Sequence, residues 1–448
     1  MPSNRNISQP GGKVNTLILG AGITGLSCAY HLGKDYLVLE KESKAGGLCR
    51  SVKTGGFTFD YSGHLLHLHS DYAKKFIFSF LGKNIVKIER NSRIYSKEVL
   101  TRYPFQANLY GLPPDVIQEC ISGLLEAKRS AKKTEAVSRH VNRHGTFRDW
   151  VLKTFGRGFA KHFFFPYNTK LWTVSPERLT TDWINIFIPQ PDVKDVIDGA
   201  FREQDKTFGY NASFYYPEKG GIQALIDSLS GKISNIRMNS PVTSINLKER
   251  FAITGDRKIY FKHLVSTIPL PELLGIIENL PEKVRSAGKM LSWNSVDCVN
   301  VGVKMKNLKE GIHWIYYPEK TFPFYRTGFY HNFTRYSVPS GTGSMYVETA
   351  YQPGSKPEKN MLLNKTLSGL VKSRVIDKKD KVIESQVLSI PYAYVIYDKN
   401  RSKALETINA FLKNSHIRSI GRYGAWKYSY IEESILDAKA AAENILKQ

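Results

Sequence analysis

A short apolar strand that runs into a glycine turn and a small-residue helix restricts this chain more than any other feature. Val14–Leu19 is mostly apolar, Gly20-Ala21-Gly22-Ile23-Thr24-Gly25 follows, and Leu26–Leu32 continues in small and apolar residues. A second apolar stretch, Tyr36–Leu39, ends at Glu40, 20 residues after Gly20. Strand, tight turn, helix and strand at that spacing predict a β-α-β unit that binds a dinucleotide. Gly20 permits the turn, Gly22 lets the backbone approach a pyrophosphate, and Gly25 lets helix and strand pack closely, so that the first helix amides, at Ile23 and Thr24, face the phosphates. Glu40 suits a ribose hydroxyl and disfavours a 2′-phosphate.

Composition narrows the class. At 448 residues the chain has material for two or three domains, and 42% hydrophobic with 23% charged residues fits a globular protein. No apolar run approaches the roughly 20 residues of a spanning helix, and the first residues lack the apolar core of a secretory signal. A cytoplasmic location is the expectation. Cys28, Cys49, Cys120 and Cys298 form no C-x-x-C pair, and His64, His67 and His69 share neither a helix face nor a strand face, so no metal site is expected. Lys plus Arg is 64 against 40 Asp plus Glu, a net +24. That balance suits a phosphorylated substrate or peripheral association with an anionic membrane. The basic residues are dispersed and no nucleic-acid motif accompanies them, so no specific nucleic-acid partner is expected.

Beyond Glu40-Lys41 stand Gly46-Gly47-Leu48-Cys49-Arg50-Ser51 and Phe57-Thr58-Phe59-Asp60 with Gly63-His64. This order resembles the flavin-binding front of the amine oxidase, protoporphyrinogen oxidase and UDP-galactopyranose mutase superfamily. Three later stretches are similar to the mutase branch: Phe165-Pro166-Tyr167-Asn168-Thr169-Lys170-Leu171-Trp172, Phe322-Pro323-Phe324-Tyr325-Arg326, and Gly421-Arg422-Tyr423-Gly424-Ala425-Trp426-Lys427-Tyr428. Tyr392-Ala393-Tyr394 is a weaker echo, and the stretch from Asn211 to Gly221 resembles the mutase's return to its flavin domain.

The resemblance implies an α/β fold: a Rossmann-like FAD-binding domain, discontinuous over 14–95, 218–268 and 398–448, with a mainly helical insertion at 96–217 and an antiparallel-sheet substrate domain at 269–397. Amphipathic patterning supports helices at Leu112–Leu125, Thr146–Phe155 and Val193–Phe201, and alternation supports strands at Val296–Val303, Tyr325–Phe333 and Ser344–Tyr351. The implied cofactor is FAD, held by Gly20, Gly22, Ile23, Thr24, Gly25, Glu40, Lys41, Gly47, Leu48, Arg50, His64, Val242, Thr267 and Arg422, with NAD(P)H a possible reductant. The implied substrate is a nucleotide sugar, bound by Tyr167, Asn168, Trp172, Asn211, Tyr325, Arg326, Tyr394 and Tyr428. Among these His64, Arg326, Tyr394 and Tyr428 would serve catalysis, with reduced-flavin N5 as the nucleophile and an N5 adduct between pyranose and furanose forms. Such an activity belongs with cell-surface glycan biosynthesis.

One departure opens an alternative. Mutases carry an arginine shortly after a tryptophan in the segment following the P-Y-N-x-K-x-W motif, whereas Trp183–Gln190 holds no basic residue and Phe187 stands there; Lys194, Arg202 and Lys206 come next. An FAD-dependent oxidoreductase, oxidase-like or desaturase-like, acting on a small or lipophilic substrate is therefore the second expectation.

Overall fold

The computed structural model of the protein describes residues 12–135, 145–184, 188–206, 208–209, 211–305 and 309–448. Strands β1 to β18 and helices α1 to α13 are numbered in chain order.

The first sheet grows from the glycine unit. β1 (Gly12–Leu19) lies parallel to β2 (Tyr36–Leu39) on one side and to β12 (Arg257–Ser266) on the other. β9 (Ile236–Arg237) extends the sheet beyond β2, the antiparallel ribbon β10 (Val242–Asn246) and β11 (Phe251–Thr254) extends it beyond β12, and β18 (Ile417–Ser419) pairs parallel with the end of β12. Three separated stretches of chain thus meet in one sheet. All four residues of β2 and the last four of β1 are buried, as expected for strands covered on both faces. Ile18, Val38 and Val265 face α1 (Ile23–Leu32), α7 (Gln223–Ser230) and α13 (Ile431–Leu446), with α2 (Asp71–Leu81) beside them. Leu17, Leu19, Leu37, Leu39 and Leu264 face the opposite layer, which includes α8 (Leu270–Ile276), α9 (Glu282–Lys289) and α11 (Arg401–Asn414).

The second sheet runs β17 (Lys381–Val395), β13 (Trp293–Lys304), β16 (Gly343–Tyr351), β15 (Arg326–Phe329), β14 (Trp314–Tyr316), β6 (Ser92–Ser96), β7 (Val99–Arg102). Here the structure departs from the expectation of an antiparallel domain cut from 269–397. The β6–β7 hairpin, from near residue 95, joins this sheet, and β14 lies parallel to β6. The hairpin is local, but its partner strand is more than 200 residues away, so no local pattern announces the pairing. On one face Val299, Val301 and Val303 pack under α10 (Lys359–Lys372); on the other, Cys298 and Tyr346 pack on Phe57 and Phe59 of the hairpin β3 (Ser51–Thr54) and β4 (Phe57–Asp60). β5 (Val86–Glu89) pairs with β8 (Ser213–Tyr216) between the layers.

The insertion contains α3 (Pro114–Glu135), α4 (Phe147–Phe159), α5 (Phe165–Trp172) and α6 (Val193–Phe201). α4 starts where Thr146 and Asp149 cap it reciprocally. Gly156 breaks its helical geometry at φ +80°, and a Cβ there would stand 2.0 Å from the Gly123 carbonyl oxygen of α3, so glycine is what allows the two helices to touch. The aromatic run preceding Tyr167 is packing: Phe163 stacks on Phe105 and Tyr167, and Phe164 on Phe155. The four cysteines are buried and unpaired, and no metal-ligand cluster exists among the described residues. Among those residues no helix is long and apolar enough to cross a membrane.

Candidate active site

The glycine turn after β1 is built as its close approaches require. A Cβ at Gly25 would stand 1.9 Å from the Gly20 carbonyl oxygen, and the Thr267 hydroxyl donates to the Leu19 carbonyl at 2.8 Å, closing the turn from the β12 side. Gly22 begins α1, and Gly46 N–H donates to the Ala21 carbonyl, which brings Gly47 against Gly22 without a side chain between them. Glu40 is buried and accepts from the Ala21 N–H at 2.6 Å and the Glu42 N–H at 3.0 Å. Ser240 N–H donates to the Glu40 carbonyl, and Val242 starts β10 two residues later. Arg50 Nε donates to the Gly47 carbonyl at 2.8 Å while its guanidinium covers the Tyr61 ring. Leu48 packs toward Tyr61, Tyr167 and Tyr394, where the two sheets face each other.

At that meeting point lies a cluster of two guanidinium groups and several phenols. Arg422 follows β18; its Nη1 donates to the Ser429 carbonyl at 2.8 Å and its Nη2 to the Ala393 carbonyl at 3.0 Å. Its carbon stands 4.9, 5.5 and 5.7 Å from the ring centres of Tyr428, Tyr394 and Tyr423. Tyr394 and Tyr428 stack at 6.0 Å. Arg326, at the start of β15, is clasped by Glu348 of β16, with Nε to Oε2 at 2.5 Å and Nη2 to Oε1 at 2.8 Å. Glu348 also accepts from the Ser62 hydroxyl, two residues before His64. Arg326, Arg422 and Glu348 all act on His64, whose pKa is pushed down to about 4, chiefly by burial and then by the Arg422 charge. It is therefore neutral at pH 7. Burial raises the phenols of Tyr167, Tyr325, Tyr394 and Tyr428, so they remain neutral donors. The Tyr325 hydroxyl is buried with no hydrogen-bond partner.

A row of rings leads away from the cluster: Tyr167 to Tyr316 at 5.4 Å, and Tyr316 to Tyr103 at 5.4 Å. Arg90 lies over Tyr103 at 4.6 Å, in a cleft also lined by Asn91, Ser92, Arg102 and Lys206.

The residues expected from sequence divide by position. Arg326, Tyr394, Tyr428, Tyr325, Tyr167, His64 and Arg422 are brought together. Asn211 reaches the Arg90 guanidinium with its side-chain oxygen, at the cleft end. Asn168 and Trp172 bond to each other: the Asn168 amide donates to the Phe164 carbonyl, just before α5, at 2.8 Å, and its oxygen accepts from the Trp172 indole at 3.2 Å. Trp172 is buried and supports Tyr394 and Tyr428 from behind. Lys41 turns outward and pairs with Glu272 of α8 at 3.5 Å. Lys206 pairs with Asp195 at 2.8 Å on the cleft wall. Phe187 and its neighbours Asn185 and Ile186 lie outside the described residues. Sequence reasoning missed Arg90, Tyr103, Tyr316, Glu348 and Tyr346, whose ring lies 5.8 Å from the Arg326 guanidinium. Of these only Glu348 carried a signal, a single acid inside the apolar strand pattern Met345-Tyr346-Val347-Glu348.

The side chains present fit a flavin dinucleotide: a glycine cradle beside a preset carboxylate, then a buried His64 Nδ1 without a hydrogen-bond partner next to Arg422. The comparisons agree. The chain belongs to the flavin-containing amine oxidoreductase family, whose model matches residues 23–446, and it is a flavoenzyme of the amine oxidase superfamily. Its fold is similar to that of a reduced UDP-galactopyranose mutase, with TM-score 0.90 and 25% identity, covering 97% of this chain and 94% of that one. A putative protoporphyrinogen oxidase from Exiguobacterium sp. 255-15 gives TM-score 0.73 at 15% identity over 98% and 99% of the two chains. Cyclohexylamine oxidase from Brevibacterium oxydans IH-35A gives 0.69 at 14% over 97% and 99%. Curated relatives match over short stretches only: 50 residues, 44% identical, of an inactive all-trans-retinol 13,14-reductase of Danio rerio, which is 10% of this chain and 8% of that protein. For a 4,4'-diapophytoene desaturase of Staphylococcus aureus the match is 70 residues, 34% identical, 15% of this chain and 14% of that protein.

Proposed function

We propose that the protein interconverts the pyranose and furanose forms of a nucleotide sugar at a reduced flavin, with no net redox change. The observation that carries this reading is the convergence of Arg326, Tyr394 and Tyr428 beside His64 and Arg422. A guanidinium and neutral phenols form a cradle for a diphosphate at the flavin end of the site. The bound reduced flavin supplies the nucleophilic nitrogen for the anomeric carbon, so a protein nucleophile is not required.

Arg326 orients the diphosphate. Its Nε and one Nη2 hydrogen face Glu348, which leaves the Nη1 edge for phosphate oxygens. As the bond from sugar to phosphate breaks, negative charge grows on the leaving oxygen, and preset donors at Arg326, Tyr394 and Tyr428 stabilise it without reorganising. His64, kept neutral by burial and by Arg422, adds no charge that would hold the leaving group back. At the far end, Arg90 over Tyr103 offers a flat aromatic and cationic surface on which a nucleobase can stack. Similarity along nearly the whole chain to a reduced mutase supports the same reading.

A second reading, an oxidoreductase acting on a small or lipophilic substrate, is favoured by the Arg326–Glu348 pairing, which cancels one site charge, and by the aromatic row. Displacement of a fluorescent UDP probe separates the two. The mutase reading expects tight binding that UDP competes away and Arg326→Met weakens; failure of the probe to bind the FAD-loaded protein refutes it.

A further inference from the structure

Lys170 is part of the stretch from Phe165 to Trp172, yet its side chain does not enter the site. Its Nζ donates to the Tyr317 carbonyl at 2.7 Å and to the Glu319 carbonyl at 3.0 Å. Both carbonyls belong to the loop joining β14 to β15, which ends immediately before Arg326. The loop closes on itself through Tyr317 N–H to the Tyr325 carbonyl at 2.9 Å, and Tyr325 N–H donates to the Glu348 carbonyl at 3.0 Å. Holding Tyr317 therefore holds Tyr325, and with it the start of the strand that aims Arg326 at its partner Glu348. The Lys170 ammonium is half-buried, and burial lowers its pKa to about 7.

The next residue on the same helix is tied to the other half of the cradle. Asn294 Nδ2 donates to the Leu171 carbonyl at 2.7 Å, and Asn294 Oδ1 accepts from the Tyr394 N–H at 3.0 Å. The pairing of β13 with β17 shifts register just after Asn294, so a side chain performs there what a ladder bond does elsewhere. Arg326 and Tyr394 lie on strands separated by β16 and β13. α5 crosses this gap, held to one side by Lys170 and to the other by Asn294.

We propose that α5 is a brace that sets the separation of Arg326 and Tyr394, with Lys170 and Asn294 as its two positioning residues. The proposal rests on the reading of Arg326 as a diphosphate ligand. The site then recognises a ligand whose anionic group spans a guanidinium and a phenol at a separation fixed from outside the pocket. A preset separation lowers the cost of binding, so loosening it loses affinity without removing a contact.

The test is a double-mutant cycle on the FAD-loaded protein, read by UDP affinity, with flavin content and absorbance as the control for folding. Lys170→Met is expected to weaken UDP by roughly tenfold, and to have no further effect once Arg326→Met is present, because it acts through that residue. Lys170→Arg should restore much of the affinity. Asn294→Ala should behave likewise against Tyr394→Phe, and it carries the test if Lys170→Met does not retain flavin. If Arg326→Met weakens UDP but Lys170→Met and Asn294→Ala do not, or if their effects simply add to those of Arg326→Met and Tyr394→Phe, the brace is refuted. If Arg326→Met leaves UDP affinity unchanged, the reading of the site fails and the proposal fails with it.

Discussion

Replacing Arg326 should injure the protein in two separable ways. Its side chain is 21% exposed, whereas the Glu348 side chain it clasps is only 2% exposed. Arg326→Met removes the ligand for an anion and also strands a buried carboxylate whose remaining contact is the Ser62 hydroxyl. Breaking a buried pair by deleting one partner costs about 3–5 kcal/mol, while replacing both partners is often near neutral. Loss of a charge-assisted hydrogen bond to phosphate is worth about 1.5–3 kcal/mol, or roughly 10–150-fold in affinity. The single variant should therefore lose both stability and UDP binding. Arg326→Met combined with Glu348→Gln should recover most of the stability, since glutamine still accepts from Ser62, but none of the UDP affinity. Urea unfolding followed by flavin release and tryptophan fluorescence reads the first quantity, and displacement of a fluorescent UDP probe reads the second. A single variant within about 1 kcal/mol of the parent would refute the buried-pair reasoning, and a double variant that regains UDP affinity would refute the phosphate role.

Other outcomes can be checked in the same preparations. Tyr394→Phe and Tyr428→Phe should each lower UDP affinity by roughly 3–10-fold, the worth of one hydrogen bond, with an unchanged flavin spectrum; equal affinity would remove that phenol from the phosphates. Gly25→Ala should abolish flavin retention, because its methyl group would collide with the Gly20 carbonyl oxygen, and a variant that purifies with full flavin content would contradict the cradle. Acid should destabilise the fold. His64, His67 and His313 are each lowered to about 4, so between pH 4 and 6.5 the unfolded chain binds their protons and the folded chain does not. Asp60, raised to about 6 by burial, acts in the opposite sense over part of that window. Three groups against one leave stability rising with pH by roughly 2 kcal/mol per unit near pH 5. Urea midpoints at pH 5 and 6.5 test this, and His64→Asn should flatten the slope; a midpoint that falls between pH 5 and 6.5 would overturn it.

What could be read from sequence was what neighbouring residues decide. The turn at Gly20, the carboxylate at the end of β2 and the helix Val193–Phe201 each depend on local spacing, and the structure forms them where that spacing put them. The place of the β6–β7 hairpin in the second sheet depends on a strand more than 200 residues later, so no local spacing announces it. Asn168 and Trp172 share a stretch with Tyr167, but the hydrogen bond between their side chains is not visible in the motif. A helix points residues one position apart in different directions, and these two turn inward. Lys41 follows Glu40, and successive side chains at a strand end point apart, so the acid is buried while the lysine pairs with Glu272. Arg90 and Glu348 could not be found by motif, because their meaning lies in the residues they touch across the fold: Asn211 and Tyr103 for one, Arg326 and Ser62 for the other.

The most direct test of redox-neutral sugar isomerisation is to reduce the FAD-loaded protein anaerobically with dithionite, remove excess reductant, and add UDP-galactopyranose or UDP-galactofuranose without any electron acceptor. Interconversion through many turnovers, with the flavin absorbance still that of the reduced form at the end and no activity in the oxidised protein, is the predicted result. Stoichiometric reoxidation of the flavin, or turnover that stops after one equivalent unless an acceptor is supplied, would contradict it and favour the oxidoreductase reading.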